Sequence, residues 1–152
     1  MKFYKIRAFI FMFITRCIGK ILFVEIPPII SVSAIVDKQG KLLLLDHSYI
    51  KGYGLPGGIV KAGEDIETAL YREVKEETGL DIISQTYFTS TASFHKSLPL
   101  ISVTFMVKTS GIEKESSEGK LLWMSPDEAL GKMAYSGVNT ILQKYIQRRS
   151  GL

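Results

Sequence analysis

The apolar positions of this chain change period several times, and each change marks an element. Ile29 to Val36 is a nearly unbroken apolar, β-branched run, and Lys41 to Leu45 is another. Between them stands Asp37-Lys38-Gln39-Gly40, a turn, so the pair predicts a hairpin. A loop rich in Gly and Tyr follows from His47 to Pro56, and then a short extended piece from Gly57 to Val60. From Glu64 to Thr78 the period lengthens. Ile66, Leu70 and Val74 recur at i, i+4 and i+8, which is one face of a helix. Gly79 follows as its stop.

Residues 81–94 and 99–108 return to the strand pattern, joined by a loop with His95 and Pro99. Ser110 to Gly119 is polar and Glu-rich, and Lys120 to Met124 is a short strand carrying Trp123. Ser125-Pro126-Asp127-Glu128 reads as a helix start, with Ser as cap, Pro in the first position and acids in the first turn. A last helix is expected from Val138 to Arg148. The alternation predicts an α/β domain, a mixed sheet with helices packed against it.

Residues 1–24 do not fit that scheme. They are apolar with interspersed bases: Lys2, Lys5, Arg7, Arg16 and Lys20, and no acid. On a helix, Lys2, Lys5, Arg16 and Lys20 share one stripe. Ile6, Ile10, Phe13, Ile14, Cys17, Ile18 and Ile21 cover a broad opposite face, with Arg7 misplaced on it. Two readings lead, a helix lying on an anionic membrane surface or a helix packing on the domain or on a second copy as a homodimer, and a cleaved or spanning segment is the lesser alternative. The stretch is too short and too interrupted to span a bilayer. It lacks the small-residue cleavage site of a secretory signal. Pro27-Pro28 closes it, so the chain divides into a basic segment, residues 1–26, and a domain, residues 27–152.

Charge sharpens that division. The 152 residues carry 19 bases and 15 acids, net +4. All the acids lie beyond residue 24, so the body is slightly acidic and the basic excess belongs to the segment. A duplex nucleic-acid surface on the body is therefore not expected. The single cysteine, Cys17, makes neither an internal disulfide nor a zinc cluster. A reducing, cytoplasmic location is expected, peripheral to the membrane if the segment binds lipid.

Chemistry concentrates between Gly58 and Leu80, GIVKAGEDIETALYREVKEETGL. On the predicted helix Glu73, Glu76 and Glu77 stand at i, i+3 and i+4, so their carboxylates share one face. They sit near the C-terminal end, where the helix dipole disfavours acids. Such crowding calls for a compensating cation, and all-oxygen ligands suit hard Mg²⁺ or Mn²⁺. A solvated acidic face is the plain alternative for the charges taken alone.

The stretch resembles the Nudix box, G-x5-E-x7-R-E-U-x-E-E-x-G-U with U aliphatic. Gly58, Glu64, Arg72, Glu73, Val74, Glu76, Glu77, Gly79 and Leu80 match every defined position. Leu55-Pro56-Gly57 supplies the usual lead-in, although Tyr53 stands where many members have Trp. The resemblance implies a Nudix α/β/α sandwich over about residues 29–149, with helices on both sides of the sheet. It implies that Glu73, Glu76, Glu77 and the Gly58 carbonyl hold Mg²⁺, with Mn²⁺ as the other choice. It further implies that Glu64 and Arg72 hold the loop and helix together and orient the carboxylates. Arg72 alone also reads as an ordinary i,i+4 partner of Glu76. Gly57, Gly58 and Gly63 would let the loop turn and phosphates approach.

The implied reaction is attack of water on phosphorus in a nucleoside diphosphate linked to another moiety, as in the MutT-like members. Glu73 is expected in the metal-water unit. Family members often take the base from a later loop, where Glu118 and Glu115 are the candidates, Glu118 preferred. Tyr53 and His95 are candidates for substrate contact, and Tyr49, Phe94 and Trp123 for base stacking. Members that cleave ADP-ribose tend to carry Pro 16 residues past the box; here that residue is Lys96, with Pro99 three further on. Two other functions stand beside this one. One is a membrane-associated Nudix enzyme acting on a lipid-linked diphosphate or a nucleotide sugar such as ADP-ribose. The other is a non-catalytic binding module, which the complete set of box glutamates argues against.

Overall fold

In a computed structural model of the protein, the description below covers Ile14 and residues 27–47, 51–95 and 98–151. The division at residue 26 and the pattern assigned to residues 1–24 lie largely outside the described residues, as do Tyr49 and Lys96.

Seven strands form one mixed sheet. They are β1 (Ile29–Lys38), β2 (Lys41–His47), β3 (Tyr53–Gly54), β4 (Gly57–Ile59), β5 (Asp81–His95), β6 (Leu98–Ser110) and β7 (Gly119–Met124). Helix α1 (Ile66–Thr78) lies between β4 and β5, and α2 (Pro126–Ala129) and α3 (Ser136–Arg149) follow β7. The order is β3-β2-β1-β6-β5, with β4 pairing β1 and β7 pairing β2. The β1–β6 pair is parallel, Val32 facing Val103 and Ala34 facing Phe105, while the other strand pairs are antiparallel.

Two apolar clusters lie on opposite faces of the sheet, because strand side chains alternate. Val32, Ala34 and Val36 of β1 face α1 and pack with Ala69, Leu70 and Val74. Ile35 turns the other way, with Leu42 and Leu44 of β2, to meet Ile141, Leu142 and Tyr145 of α3. Leu42 to Leu45 are all fully buried, which explains an unbroken leucine run where a half-exposed strand would alternate.

Local signals account for the ends of the helices. Asp65 caps α1, its carboxylate accepting the Thr68 N–H at 2.6 Å. Glu64 therefore lies in the loop before the helix and not in its first turn. Gly79 ends α1 in a left-handed conformation, φ 75°, its N–H donating to the Lys75 carbonyl. Ser125 and Glu128 form a reciprocal capping box on α2, with Pro126 at its start. The expected 95–99 loop is shorter than the sequence suggests, since strand structure runs through His95 and resumes at Leu98. Pro99 fits because a residue near a strand end loses little by lacking an N–H.

Candidate active site

The loop before α1 and the C-terminal half of α1 meet at β4, and four side chains tie them together. Arg72 sits at the centre. Its Nε donates to Glu64 Oε1 at 2.7 Å and its Nη2 to Glu64 Oε2 at 2.8 Å, a two-point clamp. Its Nη1 donates to Glu73 Oε1 at 2.6 Å and reaches Glu76 Oε2 only at 3.4 Å. Nη2 also approaches the Ile59 carbonyl, at 3.3 Å. The i,i+4 contact with Glu76 is thus the weakest of the set. Arg72 acts as a bracket between the loop and the helix, a use that suits the rigid, planar guanidinium.

The loop end of the bracket is fixed as well. Glu64 Oε2 accepts the Lys61 N–H at 3.0 Å. Arg72 first, and this N–H second, hold the Glu64 carboxyl down to a pKa of about 2. The same pairing raises the Arg72 pKa further above its already high value. Both groups are therefore permanently charged at neutral pH.

The three helix carboxylates share a face but not an environment. Glu76 is exposed, Glu73 is half-buried, and Glu77 is 4% exposed. Glu77 Oε2 accepts the backbone N–H of Gly57 at 2.7 Å. Burial is the main cause that lifts the Glu77 pKa to about 8. The Gly57 N–H opposes it, and the charges of Glu73, Glu118 and Glu76 add to it. Glu73 is also raised by burial, against the pull of Arg72. A nearly buried acid surrounded by other acids is costly unless a positive charge sits among them. Among the described residues, no group of three His, Cys, Asp or Glu side chains is already gathered around one point. The donor set nonetheless suits a hard divalent cation: carboxylate oxygens, one of them deeply buried, beside backbone oxygen.

The β4 register decides which backbone oxygen that is. Gly57 lies opposite Ser33, Gly58 opposite Val32 and Ile59 opposite Ser31. The Ala34 N–H donates to the Pro56 carbonyl at 2.7 Å and the Val60 N–H to the Ile30 carbonyl at 3.0 Å. Hydrogen-bonded pairs alternate in an antiparallel ladder, so Val32–Gly58 is such a pair and the Gly58 carbonyl faces β1. Gly57 falls on the other phase, with its N–H on Glu77. The backbone oxygen on the carboxylate side is that of Gly57.

Close approach to backbone requires Gly57, and at Gly58 a side chain would displace the Glu73 carboxylate. A Cβ on Gly57 would stand 2.1 Å from the Val32 carbonyl oxygen, and the backbone there has φ 151°. A Cβ on Gly58 would stand 2.5 Å from Glu73 Oε1. Gly63 differs: its φ is 82°, but nothing lies within 4 Å of the added atom, so only the turn needs it.

The loop of residues 111–118 is fastened to the end of α1. The Lys114 N–H donates to the Thr78 carbonyl at 2.8 Å, and a Cβ on Gly79 would meet Lys114 Cβ at 2.9 Å. This brings Glu118 near enough for its charge to act on both Glu77 and His47. Glu115 stands exposed on the same loop, and it is not among the charges weighing most on Glu77.

His47 was not among the predicted site residues. It ends β2 opposite Gly119, and its Nε2 would lie 2.4 Å from a Cβ on Gly54. Burial lowers its pKa, with Glu118 and Asp46 pulling the other way. Only the pairing of β2 with β7 brings it beside Glu118.

The aromatic candidates fare differently. Tyr53 is half-buried in β3 and packs against the α3-side core; its backbone is bonded to Lys132 and Ala134. Trp123 packs against the α1-side core, donates its indole N–H to Glu113 and lies under Lys38 Nζ. Both rings are partly buried and pack against a core cluster. Phe94 is 75% exposed near the end of β5, and His95 follows it at the strand end.

Comparison with known proteins agrees with this arrangement. Residues 27–145 match the NUDIX domain family. A "MutT-like protein" of Streptomyces ambofaciens is 34% identical over 117 residues, 71% of this chain and 72% of that protein. An "ADP-ribose pyrophosphatase" of Methanocaldococcus jannaschii is 46% identical over 56 residues; these are 35% of this chain and 33% of that protein. The crystal structure of a MutT protein from Methanosarcina mazei superimposes with a TM-score of 0.72. It shares 25% identity and covers 82% of this chain and 97% of its own.

Proposed function

The chain belongs to the Nudix hydrolase family, and from that premise we propose that it hydrolyses the diphosphate link of a nucleoside diphosphate joined to a further group, a nucleoside triphosphate among them. The observation that carries this reading is the Glu77 carboxylate, 4% exposed and surrounded by the charges of Glu73, Glu76 and Glu118. A fold accepts such a site when a cation completes it.

Glu73, Glu76, Glu77 and the Gly57 carbonyl would hold that cation, with the Gly57 oxygen taking the part first expected of Gly58. Hard oxygen donors favour Mg²⁺, with Mn²⁺ as the close substitute. When bound, such an ion screens the phosphate charge and acidifies water. The protein's own groups do the rest. Arg72 keeps the Glu73 carboxylate oriented, and Glu64 keeps Arg72 in place. Gly57 and Gly58 leave the loop free of side chains, so a phosphate chain can approach the backbone. Glu118 is the group proposed to take the proton from the attacking water, since the loop carrying it is tied to the end of α1. Proton transfer of this kind contributes roughly 10²–10⁴-fold.

Two measurements test the reading. Release of phosphate or pyrophosphate is followed across nucleoside triphosphates, dinucleoside polyphosphates, ADP-ribose, other nucleotide sugars and capped RNA, with Mg²⁺ and with chelator. Calorimetry follows uptake of Mg²⁺ and Mn²⁺ with and without nucleotide. Metal-dependent turnover of at least one diphosphate is expected, and failure to bind either ion in both states overturns the assignment.

A further inference from the structure

The loop between β6 and β7, residues 111–118, carries Glu118 and is held by polar contacts. No residue from Gly111 to Glu118 is buried, so packing does not fix its course. Its first part stands at the rim of a cleft of about 400 Å³, lined by Lys38, Ile83, Val107, Lys108, Glu113 and Trp123 among others. The Lys114 N–H donates to the Thr78 carbonyl at 2.8 Å, one residue past Glu77. Beside it, Glu113 accepts the Trp123 indole N–H, at 3.0 Å on Oε2 and 3.2 Å on Oε1. Two adjacent loop residues are thus tied to two separate elements, Lys114 to α1 and Glu113 to β7.

The β7 anchor is a fixed one. Trp123 lies opposite Leu43 of the fully buried β2 run, and its ring packs on the α1-side core. Lys38 Nζ stands 5.9 Å from the ring centre, a cation–π distance. The indole N–H is a donor only and lies in the ring plane, so a fixed ring dictates where its acceptor sits. A carboxylate in that place makes a charge-assisted bond, stronger than a neutral one. The Lys114 bond by itself fixes a point and not a direction. Beyond it the Glu118 N–H donates to Ser116 Oγ at 3.1 Å, and Ser116 bridges to Gly119, a tight turn that carries Glu118. That turn begins three residues after Glu113, so the way the chain leaves Glu113 and Lys114 sets how the turn is presented.

We propose that Glu113 is a positioning residue, whose bond to the Trp123 indole sets the course of the loop and so the place of Glu118 beside the carboxylate cluster. The inference rests on the reading of Glu118 as the group that takes the proton from water. Glu113 acts from the β7 side, through Glu118. Losing its bond displaces the proton acceptor and leaves Glu73, Glu76, Glu77 and the glycine loop where they are. The rate of the chemical step therefore falls, while binding of metal and of substrate holds.

Trp123 is the single tryptophan of the chain, so its emission reports on the bond directly. In the full chain, Glu113→Ala is expected to shift the emission maximum to longer wavelength, as water replaces the carboxylate at the indole N–H. Rates are then measured with Mg²⁺ on whichever of the diphosphates named above is turned over fastest. Glu113→Ala lowers kcat about tenfold or more, the scale of a small misplacement of a reacting group. KM and Mg²⁺ affinity stay within about twofold of the parent, the mark of a change confined to the chemical step. Glu113→Gln keeps an acceptor oxygen and recovers most of the rate. Trp123→Phe removes the donor and matches Glu113→Ala; if it does not fold, the two Glu113 variants decide. Adding Glu113→Ala to Glu118→Gln costs nothing beyond Glu118→Gln alone, because both act on one step. Circular dichroism melts confirm that each variant is folded. An unchanged emission maximum in Glu113→Ala overturns the inference, as does a full further loss in the double variant. A parent-like kcat in Glu113→Ala beside a slow Glu118→Gln removes this inference and leaves the role of Glu118 standing. A parent-like Glu118→Gln removes both.

Discussion

The backbone N–H of Gly57 donates to the carboxylate of Glu77 at 2.7 Å, joining the end of the glycine loop to the last turn of α1. Gly57 thereby fixes where the buried acid points. Pairing with β1 fixes which phase of the β4 ladder faces the cluster.

Burial of Glu77 predicts a pH dependence of the metal-free protein. Its pKa rises from the ordinary 4.5 to about 8 in the fold. Between these values the folded state holds a proton that the unfolded state has lost, so stability falls as pH rises through that window. The effect amounts to at most a few kcal/mol, because the neighbouring acids share it. Melting temperature in chelator should drop from pH 5 to pH 8. Added Mg²⁺ should restore most of it at pH 8. Glu77→Gln should melt higher than the parent in chelator at pH 8, yet bind Mg²⁺ at least tenfold more weakly. Equal melting temperatures at the two pH values in chelator would contradict the burial.

Glu73→Gln keeps the side-chain shape and the approach to Gly58 but removes the charge. Turnover with Mg²⁺ is expected to fall at least a hundredfold. Survival at near the parent rate would remove Glu73 from the chemistry.

Arg72→Lys tests the bracket. Lysine presents one ammonium and cannot clamp Glu64 at two points while also holding Glu73. Loss of an orienting partner of this kind costs about 10–100-fold in metal affinity or activity. If Arg72 served only as an i,i+4 partner of Glu76, the cost would be a few tenths of a kcal/mol. Metal titration of the Arg72→Lys variant separates the two.

The two loop acids are separated by the same logic. Glu118→Gln should lower kcat by about a hundredfold or more and alter the acid limb of its pH profile. Glu115→Gln should stay within about twofold. The reverse order would move the base to Glu115, and no effect of either would move it off this loop.

Two glycines of the loop should respond differently to alanine. Gly57→Ala forces a Cβ against the Val32 carbonyl oxygen at a backbone angle that side chains avoid. Loss of folding or of activity is expected. Gly63→Ala meets no atom and carries only the left-handed backbone penalty, roughly 1–2 kcal/mol. Chemical denaturation of the two variants gives the comparison.

The sequence alone determined what is periodic and local. Three glutamates on one helical face, a stop at Gly79, the cap at Ser125 and the strands on either side of α1 follow from spacing and backbone preference. So did membership of the family, because the box is a contiguous pattern. The tertiary structure decided what depends on contacts between distant segments. It turned the Gly57 oxygen, and not that of Gly58, toward the cluster, because strand register is set by pairing with β1. It made Glu77 the buried acid and Glu76 the exposed one, because burial depends on what packs against the helix. It drew Arg72 to Glu64 and Glu73 ahead of Glu76, and it brought His47 beside Glu118 through the pairing of β2 with β7. Register, burial and cross-strand proximity belong to pairs of segments, and a linear pattern carries no distance between them.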